Sequence, residues 1–234
     1  MTRVAIIAAL ADELKPLVGG WDRERRAGVD LWRRREGERE WIGACAGIGA
    51  AAAARAFAAV ERDGKVDLAV SAGWAGAARE EFVAGQAYHV CGIINARTGE
   101  RIPTTVFPGN TGKACWLATS ERVAGPAEKR RLAAAYGAGL VDMEAAEVAR
   151  AAAGRGIPFY CVKGVSDGLA DALPDFNRFI SQQGQFASVR FGLFALRHPG
   201  EWPALIRLAK NSRSAARQIR NRLAEILPEA AIRL

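Results

Sequence analysis

The chain has 234 residues, 50% of them hydrophobic, which is enough to bury a substantial core in one α/β domain and argues against global disorder. No run of about 18 or more uncharged apolar residues occurs, so no transmembrane helix is expected. The N-terminus enters a strand at once without a small-residue cleavage site, which predicts no signal peptide and a cytoplasmic location.

In chain order, Val4 to Leu10 reads as a buried strand running into Asp12-Glu13. Arg23 to Arg39 alternates arginines with acids, as a solvated hairpin does, and Leu31 to Arg35 and Glu40 to Cys45 read as a strand pair around Gly37. Gly49 to Glu61 is an Ala-rich helix ending near Gly64. Val66 to Ser71 is a buried strand entering a glycine-rich turn, Gly73-Trp74-Ala75-Gly76. Gln86 to Asn95 and Cys115 to Thr119 alternate in the manner of strands. Gly125-Pro126 opens a helix to about Tyr136. A short strand at Val141-Asp142 feeds a helix over Ala145 to Ala153, stopped by Gly154 and Gly156. Ile157 to Val165 is the last core strand. Two tail helices follow, Asp175 to Leu196 and Pro203 to Leu227, broken at His198-Pro199-Gly200. Strands alternating with helices predict a single-domain three-layer α/β/α fold with a mixed, largely parallel sheet over residues 1–198, and a basic amphipathic helical tail over 199–234.

Three strand ends finish in acid: Asp12-Glu13, Asp142-Met143-Glu144 and Ser166-Asp167. In an open α/β sheet the ligand crevice lies outside the carboxyl ends of the strands, so acids from separate ends can meet at one ligand. Each has a plainer alternative. Asp167 could cap a Ser-Asp-Gly turn, Glu144 could be an acidic first turn of a helix, and Asp142 its N-cap. Met143 and Trp74 could be core, and Glu13 a solvent-facing acid.

Two other motifs are set aside. Gly47-Ile48-Gly49-Ala50-Ala51-Ala52 has dinucleotide-site spacing, but Asp67 begins its strand where a ribose-binding acid should end one. Gly109-Asn110-Thr111-Gly112-Lys113 suggests a P-loop, yet Phe107 and Ala114 stand at required positions. His89 and His198 are too isolated for a metal site. Cys45, Cys91, Cys115 and Cys161, widely spaced and without a CxxC pair, read as reduced buried thiols.

Five blocks in order resemble the purine nucleoside phosphorylase and nucleosidase superfamily, in particular its methylthioadenosine/S-adenosylhomocysteine nucleosidase branch. They are Ile6 to Leu14, Ala46-Gly47-Ile48-Gly49, Ser71 to Gly76, Val141 to Ala146, and Val165-Ser166-Asp167. The tail from Phe186 to Arg217 is similar to the hopanoid-associated phosphorylases, which remove adenine from adenosylhopane. The resemblance implies cleavage of the N-glycosidic bond of an adenine nucleoside, lipid-linked in the narrower match, with no metal or organic cofactor and with inorganic phosphate as the co-substrate if the acceptor is not water. Asp167, beside Ser166, is then the acid to the base. Glu144 clamps the ribose by accepting from its hydroxyls, with Asp142 able to take part in the same site. Met143 packs as an apolar wall, and Glu13 activates water. Gly73 and Trp74 lie in the turn that borders the substrate, where Trp74 could stack on the base or close off the pocket. The phosphorylase branch carries arginines near its first strand and later glycine loop. None occurs in Ala8 to Leu14 or Ser71 to Ala77, although Arg79, Lys113 or Lys163, or the backbone N–H groups of the two glycine turns, could hold an anion. A homodimer is expected from the branch. The alternatives are a methylthioadenosine/S-adenosylhomocysteine or futalosine nucleosidase, and a non-catalytic lipid- or nucleotide-binding protein.

The net charge of +8 is concentrated near the C-terminus. Between Arg190 and Glu225, eight basic residues stand against Glu201 and Glu225 alone. In Pro203 to Leu227, apolar residues recur at helical spacing with the cations on the other face. This predicts either an ordinary packed surface helix or peripheral contact with an anionic membrane, and makes nucleic acid the weaker partner.

Overall fold

The computed structural model describes residues 1–105 and 114–226. Its strands are β1 (Thr2–Ala8), β2 (Asp22–Arg26), β3 (Val29–Glu36), β4 (Arg39–Cys45), β5 (Leu68–Ala77), β6 (Ala87–Asn95), β7 (Arg101–Pro103), β8 (Ala114–Thr119), β9 (Leu140–Asp142) and β10 (Phe159–Asp167). The helices are α1 (Ala11–Leu14), α2 (Ala50–Glu61), α3 (Pro126–Tyr136), α4 (Ala145–Ala153), α5 (Ser188–Arg197) and α6 (Trp202–Ile226), with a short 3₁₀ turn at Phe176–Phe179. The motif Gly109 to Lys113, with Phe107, lies outside the described residues, as does the end of the tail beyond Ile226.

All ten strands join one mixed sheet, in the order β10-β6-β8-β9-β5-β1-β4-β3-β2, with β7 paired to β6. Because β10 also pairs with β5, the strands β5, β10, β6, β8 and β9 close into a ring, and β1 to β4 extend from it as an open wing. β5 is the shared strand, running parallel to both β1 and β10 and antiparallel to β9.

β1 shows why the first strand is apolar without alternation. Ala5 and Ile7 pack with α2 and α4, while Val4, Ile6 and Ala8 pack with Leu14, Leu17 and Val18 and with Ile219 and Leu223 of α6. A strand covered on both faces has no polar side, and the layering is α/β/α as expected. In α2, Ala52, Ala53 and Ala56 are buried, combining high helix propensity with small side chains that allow close approach to the sheet.

Besides the short α1 and β7, which no sequence pattern signalled, three segments differ from the sequence expectation. The glycine-rich segment Gly73 to Gly76 is not a turn: β5 continues through it to Ala77, held by β10. Asp22–Arg26 forms a strand of its own against β3. The helix expected over Asp175 to Leu196 is two pieces, the 3₁₀ turn and α5, separated at Gly184, whose φ of +78° is the left-handed conformation that breaks a helix.

The tail helix α6 packs as part of the main domain, on β10, β6 and β5. Ala215, Ala216, Ile219 and Leu223 are buried to 3% exposure or less, and Gly164 of β10 lets Ala215 lie against the strand. Of the two readings of this apolar face, the packed surface helix is the one found along this part of α6.

Candidate active site

Glu13, Trp74, Asp142, Met143, Glu144, Ser166 and Asp167 line a single cleft of about 160 Å³ at the carboxyl ends of β1, β5, β9 and β10. The three acid-tipped strand ends do meet. Gly73 alone among the expected residues does not line the cleft. Its place is behind Glu13: at φ +147°, a Cβ on Gly73 would come within 2.9–3.1 Å of the Glu13 carboxylate. The absence of a side chain there leaves room for the acid.

Glu13 is buried, not solvent-facing. One carboxylate oxygen accepts from the N–H of Ala9 and Leu10 at 2.8 Å each, and the other from the N–H of Trp74 at 2.8 Å. Burial raises its pKa above the ordinary carboxylate range, opposed by these backbone bonds and by the Lys163 ammonium.

Glu144 accepts from the N–H of Gly49 at 2.7 Å. Burial, and then the neighbouring carboxylate of Asp142, push its pKa up, with Lys163 acting against them. The glycine turn expected to be a free anion holder is thus already in use. Gly49 donates to Glu144, Ile48 to the carbonyl of Gly184 and Gly47 to that of Ala9.

Asp142 is a framework residue. It is not the N-cap of α4, a position Glu144 holds, but it accepts from the N–H of Ala145, the first residue of α4, at 3.0 Å and from the Thr119 hydroxyl at 2.7 Å, and it pairs with buried Lys163 at 2.9 Å. Burial works against the charge of Lys163, but the carboxylates of Asp142 and Glu144 prevail and its pKa is raised. Lys163 is therefore not available to hold a phosphate. Arg79, another cation considered for that role, is exposed and does not line the cleft. Lys113 lies outside the described residues.

A register shift between Val165 and Asp167 in the β10–β5 pairing turns both Ser166 and Asp167 toward the cleft, as bulges do. The Ser166 hydroxyl is 2.5 Å from Asp167 Oδ1. The turn-capping alternative for Asp167 fails, because it is Asp171 that accepts from the Gly168 N–H, at 2.7 Å. Instead Asp167 is ion-paired with Lys129 of α3, whose ammonium also donates to the Gly168 carbonyl at 2.7 Å. Gly76 makes room for this pair: a Cβ there would lie 2.7 Å from Lys129 Cε and 3.1 Å from Asp167 Oδ2.

Lys129 was missed by sequence reasoning. It sits in Glu128-Lys129-Arg130-Arg131, which reads as a solvated run. The one available signal was its helical spacing to Leu132, buried three residues on. Arg122, Val123 and Ala124 of the loop before α3, which also line the cleft, were missed for want of any motif.

Trp74 borders two spaces. It lines the acid-bearing cleft and also a larger cleft of about 880 Å³, lined among others by Phe176, Phe191, Leu205 and Leu208. Its indole N–H donates to the Ser212 carbonyl of α6 at 3.0 Å, which fixes the ring as a wall tied to the tail helix. Met143 is half-buried and faces the cleft rather than the core. Among the described residues, no group of three or more His, Cys, Asp and Glu side chains forms a metal-binding cluster.

A mixed sheet closed in part on itself and flanked by helices is a nucleoside phosphorylase/nucleosidase-like fold. The sequence model of the phosphorylase superfamily matches residues 110–194. Solved structures similar over nearly the whole chain include the Helicobacter pylori 5'-methylthioadenosine/S-adenosyl homocysteine nucleosidase, at 14% identity and TM-score 0.74, covering 97% of this chain and 98% of that one. The futalosine hydrolase of the same organism is similar at 14% identity and TM-score 0.73, over the same shares of the two chains. The Arabidopsis thaliana 5'-methylthioadenosine nucleosidase is similar at 15% identity and TM-score 0.74, covering 100% and 98%. No curated protein sequence matches the chain. The superfamily match thus covers part of the chain, and the solved structures share its fold over nearly all of it.

Proposed function

We propose that this protein cleaves the N-glycosidic bond of an adenine nucleoside and releases adenine. The observation that carries the reading is the convergence of Glu13, Glu144 and Asp167, from three separate strand ends, on one cleft walled by Met143 and Trp74. Breaking the C1′–N9 bond leaves positive charge on the sugar and sends the bonding electron pair to the purine. Asp167 faces the departing base, and a proton reaches the purine N7 through the Lys129–Asp167 pair. Glu144 accepts hydrogen bonds from the ribose hydroxyls. Glu13 takes a proton from the water that attacks C1′, for which a buried carboxyl with a raised pKa is suited. Hydrolysis is favoured over phosphorolysis because the strand-end backbone donors are already engaged by protein carboxylates and Lys163 is committed to Asp142.

The cleft beyond Trp74, edged by the charged Asp12, Lys15, Arg213, Arg217 and Arg220, has an apolar wall that supports a substrate with a long apolar 5′ substituent, of which adenosylhopane is the proposed case. Phe176, Phe191, Leu205 and Leu208 offer a surface where a small soluble substituent would need none. A homodimer is proposed on the family resemblance, to be checked by light scattering of the purified chain.

The test is adenine release from adenosylhopane in detergent, with and without phosphate, beside methylthioadenosine, S-adenosylhomocysteine and futalosine. Release from adenosylhopane in phosphate-free buffer is the expected result. Turnover of the soluble nucleosides alone would make the protein a salvage nucleosidase, phosphate dependence would replace water as nucleophile, and release from none would leave a binding protein.

A further inference from the structure

Five of the seven exposed large hydrophobic side chains among the described residues lie between Val189 and Ile206: Val189 at 78% exposure, Leu193 at 47%, Leu196 at 71%, Trp202 at 46% and Ile206 at 67%. Val189, Leu193 and Leu196 fall at i, i+4 and i+7 on α5, along a single stripe. The opposite side of α5 is anchored, not frayed. Phe191 packs on Phe176, Phe179 and Phe186 with ring centroids 5.3–5.4 Å apart, and Phe194 on Phe179 at 5.4 Å. The outward stripe is therefore a fixed surface of the folded protein. Trp202 continues it from the start of α6, its indole N–H donating to the Ala195 carbonyl of α5 at 2.7 Å, and Ile206 lies one turn further on.

Cations flank the apolar stripe. Arg190 and Arg197 occupy one side of α5, and Arg207 and Lys210 follow on α6, all exposed. Among the described residues Arg190, Arg197 and Lys210 form no ion pair, and Arg207 is 3.9 Å from its acid, Asp171. Glu201 is the one acid in the patch itself.

We infer that this surface, α5 with the first turns of α6, docks on an anionic lipid bilayer. A helix lying in the interface needs an apolar stripe to enter the acyl boundary and basic side chains to meet the headgroups, with an amphipathic aromatic at the edge. Each of these is present. The same charge opposes a second copy as the occupant, because a symmetric pairing would bring arginine against arginine across an apolar contact. The inference relocates membrane contact from the Pro203 to Leu227 face, which is largely packed, to α5. It stands on the patch itself and is independent of the reaction.

Sedimentation with vesicles tests it without reference to turnover. The full chain is expected to sediment with vesicles of phosphatidylglycerol and phosphatidylcholine, less as salt rises, and to remain in solution with phosphatidylcholine alone. Leu193→Asp with Leu196→Asp should lower binding at least about tenfold, and Arg190→Gln and Arg197→Gln by about fivefold each. The variants should keep the far-UV circular dichroism of the parent, since all four side chains are exposed. Absence of binding at low salt would overturn the inference, as would binding unchanged by the paired aspartates. So would self-association that those aspartates abolish without any vesicle binding, which would make the patch an interface between copies.

Discussion

Lys129 of α3 and Asp167 at the end of β10 form a buried ion pair at the base of the cleft, in space that exists because residue 76 is glycine. The carboxylate and its cation thus enter the site together. Asp167→Asn removes the group proposed to face the base and is expected to lower kcat by about 10²–10⁴-fold. Lys129→Met leaves the acid buried without its partner. It should cost about 3–5 kcal/mol of stability and also lower kcat, with KM for the nucleoside little changed. Steady-state kinetics and thermal unfolding of the two variants check this, and a Lys129→Met enzyme with full kcat would remove the lysine from the proton path.

Glu144 gives a pH dependence with a definite sign. Its folded pKa lies above the ordinary carboxylate value because of burial and then Asp142. As pH rises through that raised value Glu144 ionises and gains the acceptor capacity a ribose clamp needs, so kcat/KM should climb across a window above the usual carboxylate range. Stability should move the other way. A carboxyl with a raised folded pKa contributes stability that is present below its unfolded value and lost as pH rises through the folded one, and Glu13 adds in the same direction. A pH–rate profile beside a pH–Tm profile reads both, and Glu144→Gln should flatten the rising limb.

Gly73→Ala tests the seating of Glu13. The added methyl meets the carboxylate at 2.9–3.1 Å in a backbone conformation that disfavours side chains. Loss of turnover by about tenfold or more is expected, with the nucleoside still bound. Calorimetric titration with a non-cleavable adenine nucleoside separates binding from turnover.

Lys163→Met should destabilise the fold by about 3–5 kcal/mol by leaving Asp142 buried alone, whereas Lys163→Met with Asp142→Asn should recover much of that. Chemical denaturation of the single and double variants measures the coupling.

Trp74→Ala removes the ring that borders both the acid-bearing cleft and the larger one, and breaks the tie to Ser212. Discrimination between substrates with long and short 5′ substituents should change more than the rate on either. The ratio of their kcat/KM values is the measurement.

Much of this site was legible because the acids are local: each follows directly on an apolar strand, and the spacing of α4, Ala145–Ala153, agreed with the structure at both ends. What was not legible depends on pairing at a distance. Gly73 to Gly76 reads as a turn until β10 is placed beside it. Lys129 reads as solvent-facing until β10 delivers Asp167 to α3. The tail was legible in part: the apolar spacing of α6 is real and its packed reading holds, but periodicity alone does not say whether protein or lipid covers the stripe.

The closed ring of strands has a consequence for the order in which the protein becomes an enzyme. Ala69 of β5 pairs with Phe159 and Trp74 with Gly164, and Ser212 then fixes the Trp74 ring. During synthesis β1 to β4 can associate early, but β5 keeps one edge open until β10 leaves the ribosome, because non-local pairing must wait for its partner. Asp167 and the wall at Trp74 are completed by the last-made parts of the domain. A stalled or truncated nascent chain is therefore a sticky half-sheet without a nucleoside pocket, in need of protection from aggregation rather than from premature turnover.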